Sequence, residues 1–318
     1  MKETLVKLMA GPVSGEELAA QLGITRSAVH KRIESLRAAG VEIDALAGKG
    51  YSLRAPIELL DRDAILAALS PSARAELAEL HVLFETDSTQ SRALAAATPA
   101  NGCALWLAER QTAGQGRRGR RWTSPLAAHV YLSISRRFDL GFAALSGLSL
   151  AVGVLVAEAL RAAGFAEVGL KWPNDLVVGG RKLGGILIQL RGEAMGPCEA
   201  VIGLGLNVRM PASSGETVDQ PWCDLASIDA DVSRLRVLGS VLDASLPGLR
   251  QFERESLQAF ATRWQALDAL RGRPVRVIDG RETVEGLALG IADDGALRVQ
   301  LAEGERRYHG GEVSVRTE

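Results

Sequence analysis

Four arginines crowd into five positions, Arg117, Arg118, Arg120 and Arg121, on a backbone punctuated by Gly114, Gly116 and Gly119. Arginine binds phosphate bidentately without losing its charge, and glycine lets a backbone wrap a ligand closely. Like charges this dense repel one another unless an anion lies among them. The stretch from Gln111 to Trp122 therefore reads as a mobile loop for a polyphosphate or an adenylate, against the plainer reading of a solvated basic loop. Its glycines also fit a dinucleotide fingerprint, but that fingerprint must open a helix. Here Trp122-Thr123-Ser124-Pro125 follows, then a strand-like run from His129 to Ser135, so the dinucleotide reading is rejected.

Other clusters carry chemistry too. Lys171-Trp172-Pro173-Asn174-Asp175 and Arg181-Lys182-Leu183-Gly184-Gly185 read as strand, turn and strand, with charges set in otherwise apolar runs. A lysine before a glycine pair at a sheet surface can neutralise a carboxylate and a phosphate together as an acyl-adenylate forms, which singles out Lys182. Asn174 and Asp175 can hold Mg2+ or orient an attacking amine. An ordinary hairpin with a basic pair is the alternative. The polar run from Glu85 to Ser91 opens a helix, Arg92–Ala97, whose N-terminus can receive a carboxylate or simply be capped. A strand from Ala200 to Val208 carries Gly203, Gly205 and Asn207, and Trp222 beyond it can stack on a purine or belong to a core.

The elements that position these residues follow from periodicity. Residues 1–54 read as helices Glu3–Met9, Glu16–Leu22 and Arg26–Ala39 and a hairpin. Ser14 with Glu17 forms a capping-box signature, Thr25 is the next N-cap, and Gly23 and Gly40 are stops. Two helices joined by a short Gly-containing turn make a helix-turn-helix. The second exposes Arg26, Ser27, His30 and Lys31, suited to phosphates and base edges. Gly48-Lys49-Gly50 turns the hairpin into a wing, with Lys49 at its tip to meet phosphate. A small helical protein-interaction module is the competing reading. Asp61–Leu80 reads as helix, His81–Phe84 and Leu105–Glu109 as strands, 211–221 as a loop and 232–269 as helix. Residues 271–318 read as short strands broken by glycines, a small barrel.

Composition bounds the rest. At 318 residues, two or three domains are expected, and 47% hydrophobic residues exclude a disordered chain. A net charge of −1 gives no argument from overall basicity, so DNA binding rests on the local excess of eight cations over six acids in residues 1–54. Cys103, Cys198 and Cys223 form no disulfide framework or metal motif, which fits a reducing cytoplasm. The uncharged run 140–157 reaches the lower limit of a membrane span, but Ser146, Gly147, Ser149 and Gly153 dilute it and Glu158 ends it. A buried helix and no membrane are expected. Only six of 37 cations are lysine. Four of these lie in the N-terminal module, and the other two, Lys171 and Lys182, flank Trp172–Asp175. Where arginine has not replaced lysine, a compact ammonium is required, and Lys182 is the position that best fits this.

Taken in order, ETDSTQ, GQGRRGRRW, KWPNDL with RKLGGIL, GLGLNV and GGEVSVR resemble the bifunctional biotin–protein ligases and biotin operon repressors of bacteria, across essentially the whole chain. The resemblance implies an α+β fold. A winged helix-turn-helix would span 1–60, a mixed α/β catalytic domain related to class II synthetase and lipoyl ligase cores 61–270, and a small SH3-like β-barrel 271–318. It implies that biotin and MgATP form biotinyl-5′-adenylate, and that biotin then passes to a lysine of a biotin carboxyl carrier protein. By position, Ser88, Thr89, Gln90, Gln111, Gln115, Gly116, Arg117, Lys182 and Gly185 would hold biotin. Arg117, Arg118, Arg120, Trp122, Asn174, Asp175, Asn207, Trp222 and Arg316 would serve ATP and the adenylate. Arg117, Lys182 and Asp175 would be catalytic, with Mg2+ held by the ATP phosphates and by Asp175. The family's loop usually has arginine where this chain has Gln115, which puts a charge contact there in doubt. The adenylate-bound form would dimerise on a two-fold biotin operator. A ligase without operator binding, a lipoyl or octanoyl ligase, and a non-catalytic sensor are the alternatives.

Overall fold

The computed structural model describes the chain except residues 47–49, 194, 217, 280–281, 311–312 and 318, and the side chains of 46, 313–314 and 316–317. Lys49 and the side chain of Arg316 thus lie outside the described residues.

Helical-period apolar residues build the first unit. α1 (Lys2–Met9), α2 (Gly15–Leu22) and α3 (Arg26–Ala38) close on Leu5, Leu8, Leu18, Val29, Ile33 and Leu36. Ser14 Oγ accepts from Glu17 N at 3.0 Å and Thr25 Oγ1 from Ala28 N at 3.2 Å, as side-chain N-caps do. β1 (Ile43–Leu46) pairs antiparallel with β2 (Gly50–Leu53). Arg26, Ser27, His30 and Lys31 are exposed on α3.

The chain then passes along a linker locked to the body. Glu109 and Arg234, each 3% exposed, form a buried ion pair at 2.5 Å. Glu109 accepts from Leu60 N, and Arg234 donates to the carbonyls of Glu58 and His129.

Asp61–Leu80 is not one helix. It divides into α4 (Arg62–Ala68), α5 (Pro71–Ala75) and the start of β3 (Leu77–Leu83). Pro71 disfavours helical backbone at Ser70, which caps α5 instead, and pairing with the strand Cys103–Ala108 overrides the helix propensity of the Ala- and Leu-rich stretch. α6 (Thr89–Ala95) also begins earlier than expected, because Ser88 is its N-cap and Thr89 and Gln90 form its first turn.

β4 (Cys103–Ala108), β5 (Val130–Phe138), β6 (Gly169–Lys171), β7 (Asp175–Val178), β8 (Arg181–Gly192) and β9 (Cys198–Leu206) complete a mixed seven-stranded sheet. Its order is β3-β4-β5-β9-β8-β7-β6, with β3 parallel to β4 and the other neighbours antiparallel. Alternation assigns its two faces. On β5, β9 and the part of β8 beyond Gly184, even-numbered residues such as Leu132, Ile186, Ile202 and Leu204 enter the core beneath α7 (Leu148–Ala162), α9 (Arg234–Glu255) and α10 (Gln258–Leu267), and on β4 the odd-numbered Leu105 and Leu107 do so. The odd-numbered Ser133, Gly185, Gly203 and Gly205 of β5, β8 and β9 turn to the other face.

The stretch Phe142–Ala162 is long and apolar enough to cross a membrane, but 67% of it is buried inside the protein, and α7 serves as the core helix. The expected helix 232–269 breaks at Ser256, whose φ of 55° is left-handed, and the expected loop 211–221 contains a short α8 (Ala212–Gly215). β10 (Pro274–Asp279), β11 (Glu282–Ile291), β12 (Leu297–Leu301), β13 (Gly304–Tyr308) and β14 (Val313–Thr317) form an antiparallel sheet, order β13-β12-β11-β10-β14. Its inner residues Val275, Val277, Leu297 and Val299 join the core of the central sheet, whereas the first unit keeps a core of its own.

Candidate active site

A cavity of ≈1020 Å³ lies over the face of the central sheet that carries Ser133, Gly185, Gly203 and Gly205. It is lined by every described residue expected to bind biotin or adenylate; Val315, next to Arg316, also reaches it.

At one end is a buried neutral polar cluster. Ser88, Thr89, Gln90 and Ser133 are each at most 3% exposed. Thr89 donates to Gln111 Oε1 from N at 2.8 Å and from Oγ1 at 3.1 Å, and Gln111 Nε2 donates to Ser124 Oγ at 3.3 Å. Ser133 Oγ lies within donating reach of Thr89 Oγ1 and Gln90 Oε1, and Gln90 Nε2 donates to Gln189 Oε1 and Val201 O, both at 3.0 Å. Ser133, Ser124 and Gln189 were missed. The only signal for Ser133 was a polar residue at an odd position of an apolar strand. Gly203 is required here, since a Cβ would sit 2.7 Å from Gln90 Oε1.

The middle of the cavity is charged. Lys182 Nζ stands 2.8 Å from Asp175 Oδ1 and 5.7 Å from the centre of the Trp122 ring. Gly185 and Gly205, opposite each other in the β8–β9 register, make room for that ring; a Cβ on Gly205 would meet it at 2.5 Å. Arg117 donates to Asn174 Oδ1 at 2.9 Å. Burial, and then the neighbouring Arg118, hold its pKa below the usual arginine range, although a guanidinium stays charged at neutral pH. Asn174 is clasped to β8: its Nδ2 donates to Ile186 O at 2.7 Å and its carbonyl accepts from Ile186 N.

The loop follows the expected course. No helix opens after it; Arg117–Gly119 make one 3₁₀ turn, and Gly116 N donates to Arg120 O at 2.7 Å. Arg118 and Arg120 remain exposed. Gln115 Nε2 donates to Ser91 Oγ at 3.2 Å, so a neutral contact ties the loop to α6.

At the far end Trp222 packs on Gly215 and donates from Nε1 to Gly215 O at 3.2 Å. Lys182 N donates to Pro221 O and Cys223 N to Lys182 O. Asn207, 5% exposed, donates from Nδ2 to Cys223 O at 3.0 Å, and its contact with Lys182 O is 3.5 Å. Its Nδ2 thus holds the 221–223 segment against β8. One neighbour was not foreseen: Ala38 and Ala39 at the end of α3 also line the cavity, and Leu126 N donates to Ala39 O at 2.8 Å. Among the described residues no three His, Cys, Asp or Glu groups converge as a metal site.

The cavity therefore joins a neutral hydrogen-bonding pocket, an ammonium between a carboxylate and an indole, and an arginine-bearing loop. That combination can hold a polar carboxylic acid against a nucleotide. Comparison with known proteins agrees. The model of the biotin/lipoate A/B protein ligase family matches residues 85–207, that of the biotin protein ligase C-terminal domain matches 271–316, and an HTH domain matches 3–52. The bifunctional ligase/repressor BirA of Salmonella typhimurium is 37% identical over 99% of this chain and 97% of its own. That of Escherichia coli is 38% identical over 96% and 93%. A biotin protein ligase from Aquifex aeolicus, solved in complex with biotin and ATP, superposes with a TM-score of 0.63 at 27% identity, over 76% of this chain and 99% of that one. Identity that runs from the winged helix through the cavity to the last sheet places this chain in the bifunctional ligase/repressor BirA family.

Proposed function

We propose that this chain makes biotinyl-5′-adenylate from biotin and ATP, passes biotin to a lysine of a biotin carboxyl carrier protein, and represses transcription from a biotin operator. The observation that carries the reading is the convergence of Lys182, Asp175, Arg117 and the Thr89–Gln90–Gln111 cluster on one cavity.

In the first step biotin rests its polar ring on the neutral cluster and turns its carboxylate toward Lys182. A carboxylate oxygen attacks the α-phosphorus of ATP, and pyrophosphate leaves with the electrons of the broken P–O bond. The Lys182 ammonium neutralises the carboxylate and the phosphate as they meet, where charge in the transition state is greatest. Arg117, Arg118 and Arg120 answer the phosphates, and Trp122 covers the site. A mixed anhydride hydrolyses readily, so a loop that closes over it and excludes water protects the intermediate. In the second step the neutral amine of the carrier lysine attacks the biotinyl carbonyl and AMP leaves. Asp175 orients that amine, Asn174 holds Arg117, Asn207 holds the Lys182 backbone, and Trp222 and Arg316 serve the adenine side.

Mg2+ fits this set only as a passenger on the triphosphate. One oxygen of Asp175 already faces Lys182, which leaves its second as the protein's contribution. Bound there, the ion supplies charge neutralisation on the phosphates. The hydrogen-bonding floor favours biotin over a lipoyl or octanoyl chain, which would leave those groups unpaired.

For repression, Arg26, Ser27, His30 and Lys31 present one exposed face of α3 to DNA. Half-site spacing requires a homodimer. β8 supports one: β7 pairs it only from Arg181 to Gly185, and its outer edge beyond Ile186 has no strand partner among the described residues. Such an edge invites pairing with a second copy. The use of ATP and three buried free thiols fit the cytoplasm. Incubation with biotin, ATP and carrier domain should give pyrophosphate and a biotinylated lysine. Operator DNA should shift only with biotin and ATP present, and less at high salt. No labelling of a competent carrier refutes the ligase reading, and ligand-independent or absent shifts refute the repressor reading.

A further inference from the structure

We infer that the C-terminal sheet completes the adenylation site from outside it, by fixing Trp172, and that Trp172 and Gly295 are positioning residues. The inference rests on the placement of Asn174, Asp175 and Arg117 at the adenylate.

Trp172 lies within the motif that lines the cavity, yet it is 2% exposed. Its Nε1 donates to Gly295 O at 3.0 Å, across 123 residues of chain. Gly295 sits in a stiff turn between β11 and β12. Gly295 N donates to Ala292 O at 2.9 Å, Ala292 N to Ala296 O at 2.8 Å, and Ala296 N to Asp294 Oδ1 at 3.0 Å. Only glycine lets this turn approach so closely. Its φ is +83°, and a Cβ would meet Leu150 and Leu257 at 3.0 Å. From the sheet's helical side, Ser149 Oγ donates to Pro173 O at 3.3 Å.

Both working contacts of the motif hang from this anchor. Asn174 receives Arg117 at 2.9 Å, and Asp175 stands 2.8 Å from Lys182. A shift of the Gly295 turn therefore moves the partner of the loop arginine and the partner of the ammonium together. Misplacement of reacting groups by about 1 Å costs on the order of a hundredfold in rate. A buried tryptophan that merely filled the core would have no reason to couple these two contacts.

The test uses the full-length protein. Trp172→Phe keeps an aromatic ring but deletes the N–H donor together with the five-membered ring that carries it, so Gly295→Ala is its control for lost volume. It should slow single-turnover adenylation about tenfold, raise the share of adenylate released to solvent, and leave biotin affinity within about twofold. Gly295→Ala should reproduce that pattern without touching the motif, and it decides the matter if Trp172→Phe does not fold. Rate and escape within about twofold of the parent in the folded variants would overturn the inference. So would parallel losses of rate, biotin affinity and thermal stability, the mark of a merely structural role. Asn174→Ala separates the two failures. If it is impaired while the anchor variants are not, only the anchor is wrong; if it too is unaffected, the site placement itself is wrong and the inference falls with it.

Discussion

Replacing Lys182 by alanine should stop adenylation while leaving the neutral pocket intact. Its ammonium stands 2.8 Å from Asp175 and 5.7 Å from the Trp122 ring centre, with the side chain 19% exposed. Deleting it removes the cation that faces carboxylate and phosphate, and it leaves Asp175 turned toward two anionic substrates. At about 4 Å and an effective dielectric near 20, one unit-charge interaction is worth about 4 kcal/mol. At roughly 1.4 kcal/mol per tenfold, the loss is on the order of a thousandfold in rate. The assay is single-turnover release of pyrophosphate at saturating biotin and ATP, repeated with preformed biotinyl-adenylate and carrier domain to isolate transfer. Adenylation should collapse, and transfer should fall much less. Removing Asp175 as well should recover part of the loss, because the uncompensated carboxylate goes with it. Lys182→Arg should rescue poorly, since a planar guanidinium does not replace a compact ammonium held between Asp175 and an indole. A folded Lys182→Ala protein that adenylates within tenfold of the parent would refute the role.

Three further outcomes follow from the same geometry. Gly203→Ala places a Cβ 2.7 Å from Gln90 Oε1 and must displace that amide from its bonds to Gln189 and Val201. A loss of about 1–3 kcal/mol should raise the KM for biotin roughly fivefold to 150-fold, with an unchanged KM counting against the pocket. Arg117→Gly removes the 2.9 Å contact to Asn174 and should let adenylate escape to label bystander proteins; retained selectivity in a mixed-protein labelling assay would contradict the retention role. Burial pushes the Asp268 carboxyl up to about 6. A raised carboxyl pKa stabilises the fold below the unfolded value of about 3.9, and that stability is lost as pH rises through about 6. Between pH 4 and 8 the parent should therefore lose about 2 kcal/mol relative to Asp268→Asn in denaturant unfolding, and a constant gap would show that Asp268 does not titrate as argued.

The sequence made the first unit legible because local chemistry decides it. Ser14 and Thr25 cap, and the stripe of Val29, Ile33 and Leu36 sets the face. Lys182, Asp175 and the arginine loop were legible because charge inside apolar or Gly-rich runs has few structural uses. What remained hidden depends on distant partners. Leu77 to Leu80 reads as helix until β4 pairs with it. Asn174 and Asn207 read as ligand contacts, yet their amides bond backbone groups of Ile186 and Cys223. Ser133 and Gln189 join the site only through Thr89 and Gln90, far away in sequence. Trp172 and Gly295 meet only once two sheets share a core.

The most direct test is to supply the purified full-length chain with biotin, ATP and a carrier domain, follow pyrophosphate, and map the modified carrier residue by mass spectrometry, with lipoate in parallel. Pyrophosphate release coupled to one biotinylated lysine, with none from lipoate, is the predicted result. A competent carrier left unmodified, or modified by lipoate instead, would contradict it.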